Sequence, residues 1–109
     1  MNIAIPKNIA EKISSRCQRC YYEQQWYGES FLFEYIGDIC VKGKKILEIG
    51  CAEAGLMRFY NNKGANCSGL ELSDIRFKNA NLLNQDKTIN LFQADICDPK
   101  TFTNNINHE

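Results

Sequence analysis

Three acidic residues stand where short apolar runs end. Glu48 lies in Lys45-Ile-Leu-Glu-Ile-Gly50, Glu71 in Gly69-Leu-Glu-Leu-Ser73, and Asp95 in Gln93-Ala-Asp-Ile96. Acids at three such ends in a row are hard to explain as packing, because each would need a partner if it were buried. The first run continues as Cys51-Ala-Glu-Ala-Gly55, so a strand enters a tight turn at Gly50 and a helix begins near Ala54. Such a turn aims backbone N–H groups and a helix N-terminus at one spot, which favours an anionic group. Small residues at Gly50, Ala52, Ala54 and Gly55 let a ligand approach the backbone. Glu71, twenty-one residues beyond Gly50, is placed to accept both hydroxyls of a ribose. Glu48 and Glu53 would repel a diphosphate in this loop and suit a ligand with a cationic amino group and a ribose.

These residues need elements to hold them. Lys45 to Gly50 reads as a buried strand, Ala54 to Asn62 as a helix with Leu56, Phe59 and Tyr60 on one side, and Asn66 to Leu72 as a second strand. Ser73 caps a further helix carrying Ile75, Asn79, Leu82 and Leu83, and Ile89 to Ala94 is a third strand. Strand, helix, strand, helix, strand makes two βαβ units, and right-handed crossovers give an α/β fold with a parallel sheet in the order 3-2-1. The carboxyl ends of the strands, where open parallel sheets bind ligands, then carry Glu48, Glu71 and Asp95 together.

Helices precede the sheet. Pro6 suits a first helical turn, and Ile5, Ile9, Ile13 and Cys17 recur every fourth residue on one face. The pattern breaks at Gly28, and Ser30 is placed to cap a second helix with the face Leu32, Tyr35, Ile36, Ile39 and Cys40, stopped at Gly43. The expected division is a helical segment over 1–43, a cofactor-binding part over 44–100, and a polar, Asn-rich tail over 101–109.

Composition narrows the function classes. Thirteen Lys and Arg balance thirteen Asp and Glu, which gives no electrostatic footprint for nucleic acid. With 44% hydrophobic residues the chain is globular rather than disordered. No stretch approaches the roughly 20 apolar residues of a membrane span, and Lys7, Glu11 and Lys12 interrupt any signal-peptide core. A cytoplasmic protein is expected, with its six cysteines serving mostly as small buried hydrophobes. Cys17-Gln-Arg-Cys20 has half a zinc site's spacing, but without a second pair it reads as two helix cysteines, and no metal is expected. Tyr21, Tyr22, Trp26 and Tyr27 read as rings packing the leading helices on the sheet, or as a cover over a cationic ligand.

The three acid-bearing runs resemble a class I S-adenosylmethionine-dependent methyltransferase over roughly residues 44–98. The resemblance implies a Rossmann-like domain of which this chain is the N-terminal, cofactor-binding part. It places Glu48 near the methionine amino group and the backbone of Gly50, Cys51 and Ala52 along the methionine moiety. It further implies that Gly55 lets the following helix pack against the cofactor and that Glu71 binds the ribose hydroxyls. Leu72 would lie beside the adenine, Asp95 would accept from its amino group, and Ile96 would pack on its ring. Ala52 and Ala54 stand where the family often has glycine. The family's sheet continues beyond a third strand, so the domain is expected to be incomplete, catalytically silent and able to self-associate through the open edge of its first strand. Catalytic residues and the methyl acceptor are not implied. Gly50-Cys-Ala-Glu-Ala-Gly55 also aligns as a degraded dinucleotide fingerprint, so an NAD-dependent oxidoreductase half-domain and a non-catalytic ligand-binding module remain alternatives.

Overall fold

The computed structural model describes residues 3–36, 41–98 and 100–101 of the chain. A short helix α1, Lys7–Ala10, starts directly after Pro6, whose carbonyl accepts from the N–H groups of Ile9 and Ala10. The chain turns and restarts at Ser14, whose hydroxyl accepts from the Cys17 N–H at 3.0 Å and caps α2, Ser15–Tyr27. The expected stripe is thus carried by two helices rather than one. It nevertheless buries as a unit, since Ile9, Ile13, Cys17 and Tyr21 pack with Leu83, and Ile5 and Leu82 close the cluster.

Gly28 does not end the helix. Its backbone stays right-handed, and α2 passes into a π-helical turn, Gly28–Leu32, and then α3, Phe33–Ile36. Ser30 lies inside that turn and is no cap. A side chain at Gly28 would put its Cβ 2.9 Å from both Leu56 Cδ1 and Phe59 Cδ2, so the glycine serves close helix approach rather than a break. Tyr35, expected on a buried face, is 78% exposed, whereas Ile39, Cys40 and the tail from 102 lie outside the described residues.

The sheet follows the expected plan. Strands β1, Lys45–Ile49, β2, Asn66–Glu71, and β3, Asn90–Gln93, pair in parallel with β2 in the centre. Glu48 stands opposite Gly69, and Glu71 opposite Gln93. Helices α4, Gly55–Asn62, and α5, Asp74–Leu83, connect them. Ser73 caps α5 by accepting from the Arg76 N–H, and of the expected face Leu83 is buried, together with Ala80, while Ile75 is exposed. The main core gathers Val41, Met57, Phe59, Tyr60, Cys67 and Ile89 around one face of the sheet, with Ile46 against it. On the opposite face of β1, Leu47 and Ile49 are more than half exposed. Cys17, Cys51 and Cys67 are buried as expected, while Cys97 is exposed.

Among the described residues, a charge network joins the buried Arg58 to the half-exposed Asp86. The Arg58 guanidinium, on α4, donates to both carboxylate oxygens of Asp86 at 3.1 Å and to Asn84 Oδ1 at 2.8 Å. Asn84 in turn donates to the Ile89 carbonyl at 2.7 Å. The loop before β3 is therefore tied to α4 by side chains. Hydrogen bonds from Arg58, above all, hold the Asp86 carboxyl down at about 2.

Candidate functional site

The site is built at the carboxyl end of the sheet, where β1 turns into α4. Gly50 takes a left-handed conformation with φ +77°, and Ala52 and Ala54 do the same at φ 51° and 66°. For alanine this costs on the order of 1–2 kcal/mol per residue, and such strain persists only where the surroundings over-determine it. Here they do. The N–H groups of Gly50 and Cys51 both donate to the Leu70 carbonyl, at 2.8 and 2.9 Å, and Ala54 N–H donates to the Cys51 carbonyl at 2.8 Å.

Glu71 completes the clamp from β2. One carboxylate oxygen accepts from the Ala52 N–H at 2.7 Å and the other from the Ser73 N–H at 2.9 Å. Each oxygen keeps a second lone pair, so the carboxylate is oriented by the backbone without being used up. Gln24 reaches in from α2. Its amide oxygen accepts from the Gly55 N–H at 2.9 Å and its amide nitrogen donates to Glu53 at 2.7 Å, while Arg76 flanks Glu53 at 3.8 Å. The N–H groups of Gly50, Cys51, Ala52, Ala54 and Gly55 therefore all have protein acceptors. For these five donors the expectation of unpaired groups aimed at an anion is corrected, because buried backbone donors are rarely left open when a side chain can reach them.

The placement of Gly55 also differs from expectation. A Cβ there would stand 2.4 Å from the Tyr21 carbonyl oxygen and 2.7 Å from Gln24 Cβ, so its missing side chain admits α2 rather than a ligand. Cys51 points its thiol into the core, where a Cβ on Gly69 would lie 2.7 Å from the sulfur. Burial, reinforced by Glu48 and Glu71, pushes that thiol up to about 12, which makes it a packing group and no nucleophile.

Glu48 is the anomaly. One of its carboxylate oxygens is fully buried and has no hydrogen-bond partner. It borders a cavity of about 320 Å³ lined by Cys20, Glu23, Gln24, Tyr27 and Leu56 as well. Burial first, and the Glu71 charge second, push its carboxyl up to about 7. An orphaned buried oxygen beside other carboxylates lacks a cationic donor.

Asp95 follows β3, with one oxygen accepting from the Cys97 N–H at 2.9 Å and its own N–H donating to Thr101. Ala94 N–H reaches the Glu71 carbonyl at 3.3 Å, which sets the ends of β2 and β3 side by side. Leu72 and Ile96, each just beyond an acid, are 60% and 48% exposed. The structure thus brings Glu48, Gly50, Cys51, Ala52 and Glu71 into one loop cluster and sets Leu72, Asp95 and Ile96 along the same edge. Gln24 escapes sequence reasoning, because a glutamine in mid-helix carries no local signal of a contact 31 residues away.

No protein-family model and no curated protein matches the chain. Solved structures do. An S-adenosylmethionine-dependent methyltransferase from Mesorhizobium loti aligns at 26% identity and a TM-score of 0.53, over 62% of this chain and 32% of that one. The MccD protein aligns at 22% and 0.51, over 66% and 33%. The Pyrococcus horikoshii protein PH1948, a candidate RNA methyltransferase, aligns at 17% and 0.50, over 87% and 45%. The chain therefore spans between about a third and under a half of the length of these structures. Its fold is that of an open Rossmann-like sheet, of the kind seen in class I methyltransferases.

Proposed function

We propose that the chain is the cofactor-binding part of a class I S-adenosylmethionine-dependent methyltransferase. The observation that carries this reading is the buried, partnerless oxygen of Glu48. It suits the ammonium group of a bound amino acid and opposes a diphosphate, which favours S-adenosylmethionine over NAD. Around it the residues present fit the rest of the cofactor. Glu71, held by two backbone donors, offers its remaining lone pairs to the ribose hydroxyls. Leu72 and Ile96 offer exposed apolar surface for the adenine, and Asp95 has an oxygen for its amino group. The backbone of Gly50, Cys51 and Ala52 lines the methionine moiety. The cofactor, when bound, supplies a methyl group already activated by its sulfonium, so the work of these residues is to hold and orient it.

Calorimetric titration of the chain with S-adenosylmethionine, S-adenosylhomocysteine and NAD tests the reading. Saturable binding of the first two and none of the third is expected. Binding of NAD, or of none of the three, would overturn it.

A further inference from the structure

The segment leading away from the Glu48 cavity carries a feature that the cofactor reading leaves unused. Tyr27, Phe31 and Tyr35 form a continuous ring ladder, with centroids 5.1 Å apart for the first pair and 5.0 Å for the second. All three are exposed, at 43%, 43% and 78%, and Trp26 beside them is exposed as well. In an uninterrupted α-helix, side chains four residues apart precess by about 40° at each step. Across the π turn at Gly28–Leu32, which has more residues per turn, the Tyr27 and Phe31 rings stack at 23° and the Phe31 and Tyr35 rings tilt at 49°. The ladder thus spans an irregularity of a type that recurs at functional sites. Gly28 is what lets this irregular turn lie against Leu56 and Phe59 of α4.

The charge along this stretch has one sign. Between Arg19 and Lys42 the sequence contains Glu23, Glu29, Glu34 and Asp38 and no Lys or Arg, and Arg19 itself lies 4.0 Å from Glu23 as an exposed ion pair. Tyr27, the inner rung, lines the Glu48 cavity together with Glu23. Exposed aromatic surface on a segment with an excess of acids complements a positively charged planar group, which gains both ring contact and Coulomb attraction.

Resting on the methyltransferase reading, we propose that the Tyr27–Phe31–Tyr35 ladder is the acceptor site, and that it holds a small organic cation by a planar, charged group. That group is the handle only. In a planar cation the nitrogen lone pairs are delocalised into the charged π system and do not attack, so the nucleophile is another atom of the acceptor.

Benzamidinium, benzamide and benzoate share a shape and differ in charge, and calorimetric titration of the full chain with each tests the proposal. Benzamidinium is expected to bind saturably, and benzamide and benzoate at least about tenfold more weakly. Phe31→Ala combined with Tyr35→Ala is expected to weaken benzamidinium about threefold to thirtyfold. Far-UV circular dichroism and affinity for S-adenosylhomocysteine should be unchanged in that variant, because both side chains are exposed and lie outside the cofactor loop. Equal affinity for benzamide and benzamidinium, or an unchanged affinity in the ring variant, overturns the ladder as a cation site. Binding of S-adenosylhomocysteine without benzamidinium refutes the ladder and spares the cofactor reading. Benzamidinium binding that depends on the rings, without S-adenosylhomocysteine binding, upholds the cation site and refutes the cofactor reading.

Discussion

Replacing Glu48 with Gln should make the ligand-free protein more stable and the cofactor complex weaker. In the folded chain the carboxyl is pushed from 4.5 to about 7, by burial first and by Glu71 second. A folded state that holds a proton more tightly than the unfolded state loses stability as pH rises, here from about 4.5 until the folded group has itself ionised near 7. At about 1.4 kcal/mol per pH unit, less some screening for the solvent that the half-buried carboxyl still reaches, the loss is about 2–3 kcal/mol. Glu48→Gln keeps the shape and removes the titration. Urea unfolding at pH 4.5, 6, 7 and 8 should show the variant and the wild type nearly equal at the lowest pH. The variant should lead by about 2–3 kcal/mol at pH 8, with the urea dependence unchanged. Addition of S-adenosylmethionine should reverse the ranking, since the carboxylate then has its cation. Parallel stability curves across the pH range would refute the reasoning, because the Glu48 carboxyl would then not be held unpaired in the fold.

The cofactor acids should differ in what they do. Glu71→Gln should weaken both adenosine and S-adenosylmethionine about tenfold to a hundredfold, because both of its oxygens must accept, while Asp95→Asn should cost less because one accepting oxygen suffices there. Glu48→Gln should weaken S-adenosylmethionine and leave adenosine nearly intact, and calorimetry on each variant orders them; equal losses for both ligands at Glu48 would contradict the assignment. Arg58→Ala should destabilise by about 1.5–3 kcal/mol in urea unfolding at neutral pH, since it removes the buried guanidinium that Asn84 and Asp86 share, and a loss below about 1 kcal/mol would show the network to be idle. The Asp86 contribution is present above the ordinary carboxylate value of 3.8 and is lost as pH falls through about 2, so the gap between Arg58→Ala and wild type should narrow in acid. The exposed Leu47 and Ile49 should drive self-association that Leu47→Lys with Ile49→Lys abolishes in sedimentation velocity, and a monodisperse wild-type monomer would contradict this.

The strands and their connecting helices were legible because their signals are local. Apolar runs end at Gly50 and Ser73, and the strand–helix alternation leaves little choice but a parallel sheet. The acids at the strand ends were legible for the same reason, since position along a strand fixes which end of the sheet it reaches. What escaped was contact between distant segments. Gly28 looks like a breaker, and only the presence of Leu56 and Phe59 across the helix pair shows it to be a spacer. Asn84, Asp86 and Thr88 carry no mark of their role, because nothing nearby in sequence announces the Arg58 that they surround. The loop donors were expected to be open because the amide that closes Gly55 lies in another helix.

That amide has a consequence for how such a chain can be recombined. Gln24 joins the leading helices to the turn after β1 by accepting from Gly55 and donating to Glu53. A chimaera cut between the helical segment and the sheet would look clean by element boundaries, yet it would transplant the turn without its keystone. Unless the incoming helix brought an amide of the same reach, the Gly55 N–H would lose its acceptor and the Glu53 carboxylate its amide donor. The cassette that can be exchanged intact therefore starts upstream of α2 rather than at β1.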